Sequence, residues 1–460
     1  MQSNEKSKFE KIINLAKRRG FVFPSAEIYG GFSGFYDYGP VGIEIVNNIK
    51  REWWKSMVYE NSNILGIGGA IITHPKVWEA SGHASQFVDY LVKCKRCGQS
   101  FRADLLVEDI LKKNVKPDKK ELEEIIRENN LRCPKCKGEL GEVKEFNLMF
   151  KIKVGPEGGQ ISYLRPETAQ LIYINFKNIL DTGRQKIPFG IAQIGKAFRN
   201  EISPRDFLFR MREFEQMEMQ YFVKKEDAEK FFEKWKNERF NWYLKLGIKR
   251  ENLRFREHGK EELAHYAKKA VDIEYRFPFG WKEIEGIHNR GDFDLSRHEK
   301  FSGQELKYFD EETKERYVPW IIETSAGVDR VFLAFFIDAY SEEEVNNEKR
   351  VVLRLHPKIA PYKVAVFPLV NKDGLPEKAL EVYEILKKES HCFYDSKGSI
   401  GRRYRRMDEI GTPFCVTIDH ETLEDDTVTI RDRDTMRQIR VKIESLVENL
   451  RKLINFEVRI

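Results

Sequence analysis

The stretch that decides the fold is Phe198-Arg199-Asn200-Glu201-Ile202-Ser203-Pro204-Arg205-Asp206-Phe207-Leu208-Phe209-Arg210-Met211-Arg212-Glu213-Phe214. An apolar run, Ile187 to Ile194, leads into it and reads as a buried strand. Pro204 and Asp206 mark a turn. A second strand follows from about Phe209 to Val223, so the whole reads as an antiparallel hairpin with a long loop. Strand side chains two residues apart share a face. Arg199 and Glu201 are therefore expected to point one way, and Arg212, Phe214, Gln216 and Glu218 share a face on the returning strand. That face is polar and charged around one aromatic ring, while its flanks are apolar. A buried polar face is costly unless something pairs with it. A ligand carrying both charges and a flat ring would do so; a salt-bridged edge hairpin with a solvated face is the other reading.

Working outward, the chain has 460 residues, enough for two to four domains. Hydrophobic residues make up 41% and charged residues 33%, which suits soluble domains with real cores. Lys plus Arg number 80 against 74 Asp plus Glu, so the net charge of +6 matters less than its distribution. The polar start, Met1 to Lys11, is unlike a secretory signal, and no apolar run approaches a membrane span. A cytoplasmic protein is expected, and its six cysteines are not read as a disulfide framework.

Before the hairpin, Val41 to Tyr59 carries Ile43, Val46, Ile49, Trp53 and Met57 at helical spacing. Trp53 and Trp54 are adjacent and cannot both face one core, so a second subunit or a larger internal core is expected to take the other. Ile64 to Thr73 reads as a strand ended by His74-Pro75. Cys94-x-x-Cys97 and Cys133-x-x-Cys136 bracket a charged helical stretch around Lys119 to Asn130. Two such pairs suggest a closed, structural tetrahedral zinc site, with four reduced thiols as the alternative. Lys153 to Gln160 reads as a Gly-rich turn, and Arg165-Pro166-Glu167-Thr168 opens a helix.

After the hairpin, Lys224 to Glu262 is dense in charge and aromatics and reads as a mostly helical insert. Ile273 to Ile287 resumes strand texture, with Arg290 in a turn. Tyr317 to Glu323 reads as a strand, Thr324 to Gly327 as a tight joint, and Val328 to Tyr340 as an apolar helix with Arg330 in its first turns. Ser341 to Arg350 is polar and reads as a linker. Tyr362 to Ile460 reads as an α/β module holding the most basic spot in the chain, Arg402-Arg403-Tyr404-Arg405-Arg406.

On these residues the chain resembles the class II aminoacyl-tRNA synthetases. Phe198-Arg199-x-Glu201 with Arg210-x-x-x-Phe214 is similar to their motif 2, about 189–222. Ser325-Ala326-Gly327-Val328-Asp329-Arg330 is similar to motif 3, about 317–340, and the helix and strand closing at Pro75 to motif 1, about 41–75. Trp78-Glu79-Ala80-Ser81-Gly82-His83, Arg165 to Gln170, Phe214 to Met219 and Gly401 to Arg406 resemble the glycyl-tRNA synthetase family of the single-chain homodimeric kind. Leu171, Thr324 and Met407 stand where that family usually has Gly, Pro and Gln.

The resemblance implies an α+β fold: an antiparallel-sheet catalytic domain over 1–340, a Cys-x-x-Cys insert at 86–160, a charged helical insert at 224–270, a linker at 341–357 and an anticodon-binding α/β domain at 358–460. It implies that glycine and ATP form glycyl-adenylate and that glycine then passes to glycine tRNA, in a homodimer using Mg²⁺. A synthetase for another small amino acid, or a non-catalytic nucleic-acid-binding subunit, is the alternative.

By the same resemblance ATP is held by Arg199, Asn200, Glu201, Phe209, Arg210, Met211, Arg212, Glu213, Phe214, Glu283, Ile284, Gly327, Val328, Asp329 and Arg330. Arg199, Glu201 and Arg330 are the catalytic set. Arg199 takes the α-phosphate, Arg210 and Arg330 the outer phosphates, Phe214 stacks on adenine and Glu201 accepts from its amine. Glycine is implied at Arg102, Glu167, Phe214, Glu215, Gln216, Met217, Glu218, Arg290, Glu323, Thr324, Ser325, Ala326 and Gly327. The arginine cluster near 402–406 is implied to touch tRNA phosphates. A chain ending near Lys358, if it folds, is expected to keep the activation step but to charge tRNA poorly.

Overall fold

The computed structural model describes residues 2–460, with side chains from residue 5, apart from 113–114, 116–117, 157–158, 260–262, 264–266 and 346. Its organising element is a seven-stranded sheet. In chain order the strands are β1 (Ile64–Gly66), β2 (Phe189–Phe198), β3 (Glu213–Val223), β4 (Leu253–Glu257), β5 (Lys269–Phe277), β6 (Gly280–Gly291) and β7 (Trp320–Gly327). Across the sheet they run β4-β5-β6-β7-β3-β2-β1. Every pairing is antiparallel except β1 with β2.

Three helices pack around this sheet: α1 (Pro40–Trp54), α2 (Ala228–Lys245) and α3 (Val328–Ala339). All of α3 is buried except Arg330. A helix apolar all round belongs inside a core, so the one charged exception is conspicuous. Trp53 is fully buried. Trp54 lies over Gly66, where a Cβ would come within 2.3 Å of its ring. Both tryptophans are thus accommodated within one chain, because a glycine on β1 leaves room for the second.

Several sequence expectations are corrected. The returning strand begins at Glu213, not Phe209, because Asp206 and Phe207 adopt positive φ and feed a 3-10 turn at Phe207–Phe209. Ile64 to Thr73 is two strands in different sheets: β1, and Ile72–Thr73, which pairs with Gln160–Leu164. Strands Lys151–Val154 and Gln160–Leu164 flank the Gly-rich turn, whose positions 157–158 lie outside the described residues. The helix after Arg165 starts at Ala169. Within the segment expected as a charged helical insert, 224–270, α2 lies on β6 and β7, and β4 forms the sheet edge. The segment's stretches 260–262 and 264–266 lie outside the described residues. Arg290 belongs to β6, and Thr324–Gly327 continues β7 instead of forming a joint.

The expected linker is an antiparallel hairpin, Tyr340–Val345 with Glu348–Leu353. It is pinned to the C-terminal module. Arg350, 1% exposed, donates to Asp408 at 2.8 Å and to the Arg433 carbonyl at 2.6 Å. Leu353, Leu355, Ile359, Phe367, Met407 and Ile410 join the same apolar core as the seven-stranded sheet. A chain ending near Lys358 would expose part of that core, so the folding on which its expected activation step depends loses those contacts. The C-terminal module itself is a five-stranded sheet, with three parallel strands (Val364–Pro368, Cys392–Tyr394, Phe414–Ile418) and two antiparallel ones (Thr427–Asp432, Gln438–Lys442).

The Cys segment folds on a three-stranded sheet, Val88–Cys94, Ser100–Arg102 and Leu140–Asn147, with helices Ala103–Leu111 and Lys119–Glu128 against it. It buries its own small core, including Cys94 and Cys133.

Candidate active site

Strands β3, β6 and β7, the β2–β3 loop and the start of α3 enclose a cavity of about 230 Å³. The alternation of strand side chains decides who faces it. From β3 come Phe214, Gln216 and Glu218; from β7 Glu323, Ser325 and Gly327; from β6 Gly286, His288 and Arg290. The loop adds Arg199, Glu201, Phe209, Arg210 and Met211, and the start of α3 adds Asp329 and Arg330. The two ends of the cavity differ in charge.

One end is cationic. Arg199 donates from Nε to the Pro166 carbonyl at 3.1 Å, and its guanidinium lies 5.4 Å from the Phe87 ring and 5.3 Å from the Phe214 ring. Arg210 pairs with Glu201 at 3.2 Å, and Arg330 with Glu283 at 3.1 Å. Arg330 also lies over the Phe209 ring at 4.4 Å. Arg199 and Glu201 do line the same cavity, but not by strand alternation. The backbone turns there, with the Glu201 N–H donating to the Arg199 carbonyl at 2.7 Å. The buried Nε of Arg210 has no hydrogen-bond partner among the described residues. An unmet buried donor beside three guanidiniums fits a ligand that brings several anionic oxygens.

The other end is acidic. Glu218 accepts from the Thr168 hydroxyl and from Gln220 at 3.0 Å, both neutral donors. Glu323 accepts from Arg290 at 3.0 Å, His288 at 2.7 Å and Gln220 at 2.8 Å. Glu167 accepts from Gln170 at 2.9 Å and lies 3.3 Å from His83. These partners set the charge states. Burial raises the Glu218 pKa, and the charges of Glu323 and Glu167 push it further, well above the carboxylate range. Burial also works to raise Glu323, but Arg290 and His288 prevail and hold it low. Glu167 is likewise opposed by burial, yet His83 and Arg290 bring it down to about 2. Burial tends to lower the His288 pKa, but the bond to Glu323 outweighs it and raises the value, which favours the imidazolium. Such a site, with two carboxylates held low by cationic partners and a third raised by burial and their charge, is built to take a small cation.

The structure sorts the expected residues. Asn200, Arg212, Glu213, Glu215, Met217, Ile284, Thr324, Ala326 and Val328 do not line the cavity. Glu215 and Met217 alternate to the opposite face of β3, where Glu215 meets Lys50 at 3.0 Å and Met217 is buried in the core. Thr324 and Ala326 do the same on β7. Glu213 pairs with Lys196, and Arg212 donates to the Ser33 and Glu201 carbonyls. Arg102 stays in the Cys segment, between Asp89 at 3.1 Å and Asp104 at 2.8 Å. Leu171 is outside the cavity, packed with Val77, Trp78 and Met149.

The sequence reading missed Leu208, Gly286 and His288 in the lining, and His83, Thr168 and Gln220 as partners of the carboxylates. His288 was reachable, since Gly286, His288 and Arg290 fall at period two. Thr168 stood within the quoted Arg165–Gln170 run. Gln220 continues the Phe214-Gln216-Glu218 alternation by one step.

The four cysteine sulfurs lie within 4.8 Å of one another. Cys94 and Cys136 Sγ are 3.5 Å apart, and Cys97 and Cys133 Sγ 3.7 Å. Tetrahedral zinc thiolates stand ~3.8 Å apart at the usual bond length, so the set fits a zinc ion. Within the basic run, only part is available to a partner. Arg403 is 2% exposed and donates to the Pro368, Leu369 and Asp395 carbonyls. It is a structural residue, contrary to expectation, whereas Arg402 is exposed.

An antiparallel sheet that gathers three arginines at one end of a cavity and three carboxylates at the other is the core of a class II tRNA synthetase. A family model described as "tRNA synthetase class II core domain (G, H, P, S and T)" matches residues 150–340, and one described as "Anticodon binding domain" matches 363–453. A glycine–tRNA ligase of Treponema denticola is 52% identical over 456 residues, 97% of each chain. One from Caldanaerobacter subterraneus subsp. tengcongensis is 53% identical over 456 residues, 97% of this chain and 98% of its own. One from Borrelia hermsii is 50% identical over 459 residues, 98% of each. The chain belongs to the glycine–tRNA ligase family.

Proposed function

We propose that this chain activates glycine with ATP and transfers it to the 3′ end of glycine tRNA. The observation that carries the reading is the divided cavity: a carboxylate end sized for an ammonium abuts a guanidinium end suited to phosphates. Charging of a glycine tRNA transcript with labelled glycine, set against a threonine or proline tRNA, tests it.

In this reading the amino acid's ammonium sits among Glu167, Glu218 and Glu323, with Gln216 and Ser325 beside them. Its carboxylate points toward Arg199, where the α-phosphate also lies. Displacement at phosphorus needs positioning and charge neutralisation more than a protein nucleophile. Arg199 spans the two approaching anions, and its contacts to Phe87, Phe214 and the Pro166 carbonyl hold it in place. Arg210 and Arg330 take the outer phosphates, Glu201 reads the adenine amine and Phe214 gives a flat contact. Glu283, half-exposed and tied to Arg330, is the carboxylate placed to help hold Mg²⁺, which when bound neutralises charge on the phosphates.

The charge states make a prediction. The raised Glu218 pKa falls again when an ammonium arrives beside it. Glycine binding should therefore release protons in the range where Glu218 titrates, and affinity should rise with pH as Glu218 ionises. Calorimetry in buffers of different ionisation enthalpy reads this directly; a buffer-independent enthalpy would contradict it.

The Cys94, Cys97, Cys133 and Cys136 cluster holds one structural zinc, since four thiolates leave no open position. Elemental analysis of freshly purified, tag-free protein should find about one zinc per chain, and its absence would contradict the assignment. The protein acts as a homodimer of the single-chain kind through 41–75, where Ile43, Tyr59, Ile71 and Ile72 are exposed. Sedimentation should show a dimer, and an active monomer would refute it. A cytoplasmic location goes with this function; among the described residues no helix is long and apolar enough to cross a membrane.

A further inference from the structure

Glycine has no side chain to grip, so its recognition depends on where a few carboxylate oxygens sit. Two of the carboxyl groups, Glu218 and Glu323, face one small space, and the charge of one disfavours a charge on the other. Something has to hold both at a fixed separation without adding a further cation to the Arg290 and His288 already on Glu323.

Gln220 stands in the right place. It is fully buried and does not line the cavity. It pairs directly with Glu323 across β3 and β7, and it follows Glu218 by two residues on the same face. Its Nε2 donates to Glu218 Oε1 at 3.0 Å and to Glu323 Oε2 at 2.8 Å, which uses both amide hydrogens. Its Oε1 accepts from the Tyr173 hydroxyl at 2.8 Å. Tyr173 is itself fully buried, with Arg290 over its ring at 5.5 Å. The two carboxyl groups decide which way the amide points, and the Tyr173 hydroxyl anchors its oxygen. With the amide reversed, an oxygen would face two carboxylates and the NH₂ group would face the hydroxyl.

We infer that Gln220, anchored by Tyr173, is a positioning residue for amino-acid recognition: its amide clamps Glu218 and Glu323 into one ammonium site. A lysine or arginine there would also bring the carboxylates together but would compete for them with the substrate's ammonium. A neutral donor holds their positions and leaves their attraction for a cation intact. The inference rests on the reading of the acidic end as the glycine site.

Steady-state ATP–pyrophosphate exchange with the full-length protein tests it, with KM for glycine and for ATP measured separately. Tyr173→Phe keeps the buried ring and removes only the hydroxyl. KM for glycine should rise about tenfold, the scale of one lost hydrogen bond, while KM for ATP stays within about twofold. Gln220→Leu should raise KM for glycine by about a hundredfold, through two lost bonds to charged groups. Should Gln220→Leu not fold, Tyr173→Phe decides the matter alone. An unchanged KM for glycine in well-folded Tyr173→Phe would overturn the inference. So would a loss of kcat or melting temperature with both KM values unchanged, since that is the mark of a purely structural role. If the unmodified protein shows no glycine-dependent exchange, the glycine reading fails instead, and the two failures are distinct.

Discussion

Arg199→Lys should lower ATP–pyrophosphate exchange by at least about a hundredfold while leaving the protein folded. Lysine keeps the charge at this position but loses the planar fork that reaches two oxygens at once. The guanidinium also lies against the Phe87 and Phe214 rings and donates to the Pro166 carbonyl, so its position is set before substrate arrives. A flexible ammonium would not inherit that placement. The glycine carboxylate and the α-phosphate repel as they approach, and the repulsion peaks near the transition state. A group bridging them stabilises that state more than either ground state. Loss of one such preorganised donor is worth about 2.7–4 kcal/mol. Exchange kinetics together with a thermal melt read the result. Near-normal exchange in a well-folded variant would remove the hairpin from the centre of catalysis.

Glu323→Gln should raise KM for glycine by about ten- to a hundredfold, the range for a bond to a charged group worth about 1.5–3 kcal/mol. The shape is retained and the charge is lost. Arg290 keeps its bonds to Asp294 at 2.7 and 2.9 Å, so the cation is not stranded. KM for ATP, whose phosphates lie at the opposite end, should hardly move. A parallel rise in both constants would mean that Glu323 shapes the cavity as a whole and does not hold the ammonium.

The sequence made the site's chemistry legible where strand alternation applied. Phe214, Gln216 and Glu218 face the cavity because they lie two apart on β3, and the same period predicts that Glu215 and Met217 turn away. Treating Phe214–Glu218 or Glu323–Gly327 as continuous binding runs ignored that period. The loop was less legible. Asp206 and Phe207 adopt positive φ, which delays the second strand to Glu213. Nothing in local composition marks Phe207, a bulky residue, for that conformation, since tertiary packing imposes it.

Charge density misled the reading of 224–270 and 341–357. Helix α2 buries Phe232, Trp235, Phe240 and Tyr243 against the sheet while carrying a charged outer face. Its buried Arg239 is paired from within, with Glu285 at 2.7 Å. Likewise the Tyr340–Leu353 hairpin looks like a polar linker because Arg350 and Glu343 are charged, yet Arg350 is buried against Asp408 from the C-terminal module. Such long-range pairs leave no trace in local sequence. The same holds for Arg403, whose three carbonyl partners lie 8 to 35 residues away. A run of arginines therefore overstated the basic surface available to RNA.

The central claim is that one cavity selects glycine and joins it to ATP. ATP–pyrophosphate exchange by the full-length protein, measured with each of the twenty amino acids in turn, tests it most directly. Glycine alone should support rapid exchange, with alanine and serine slower by orders of magnitude. Exchange driven faster by another amino acid, or by none of the twenty, would contradict the account.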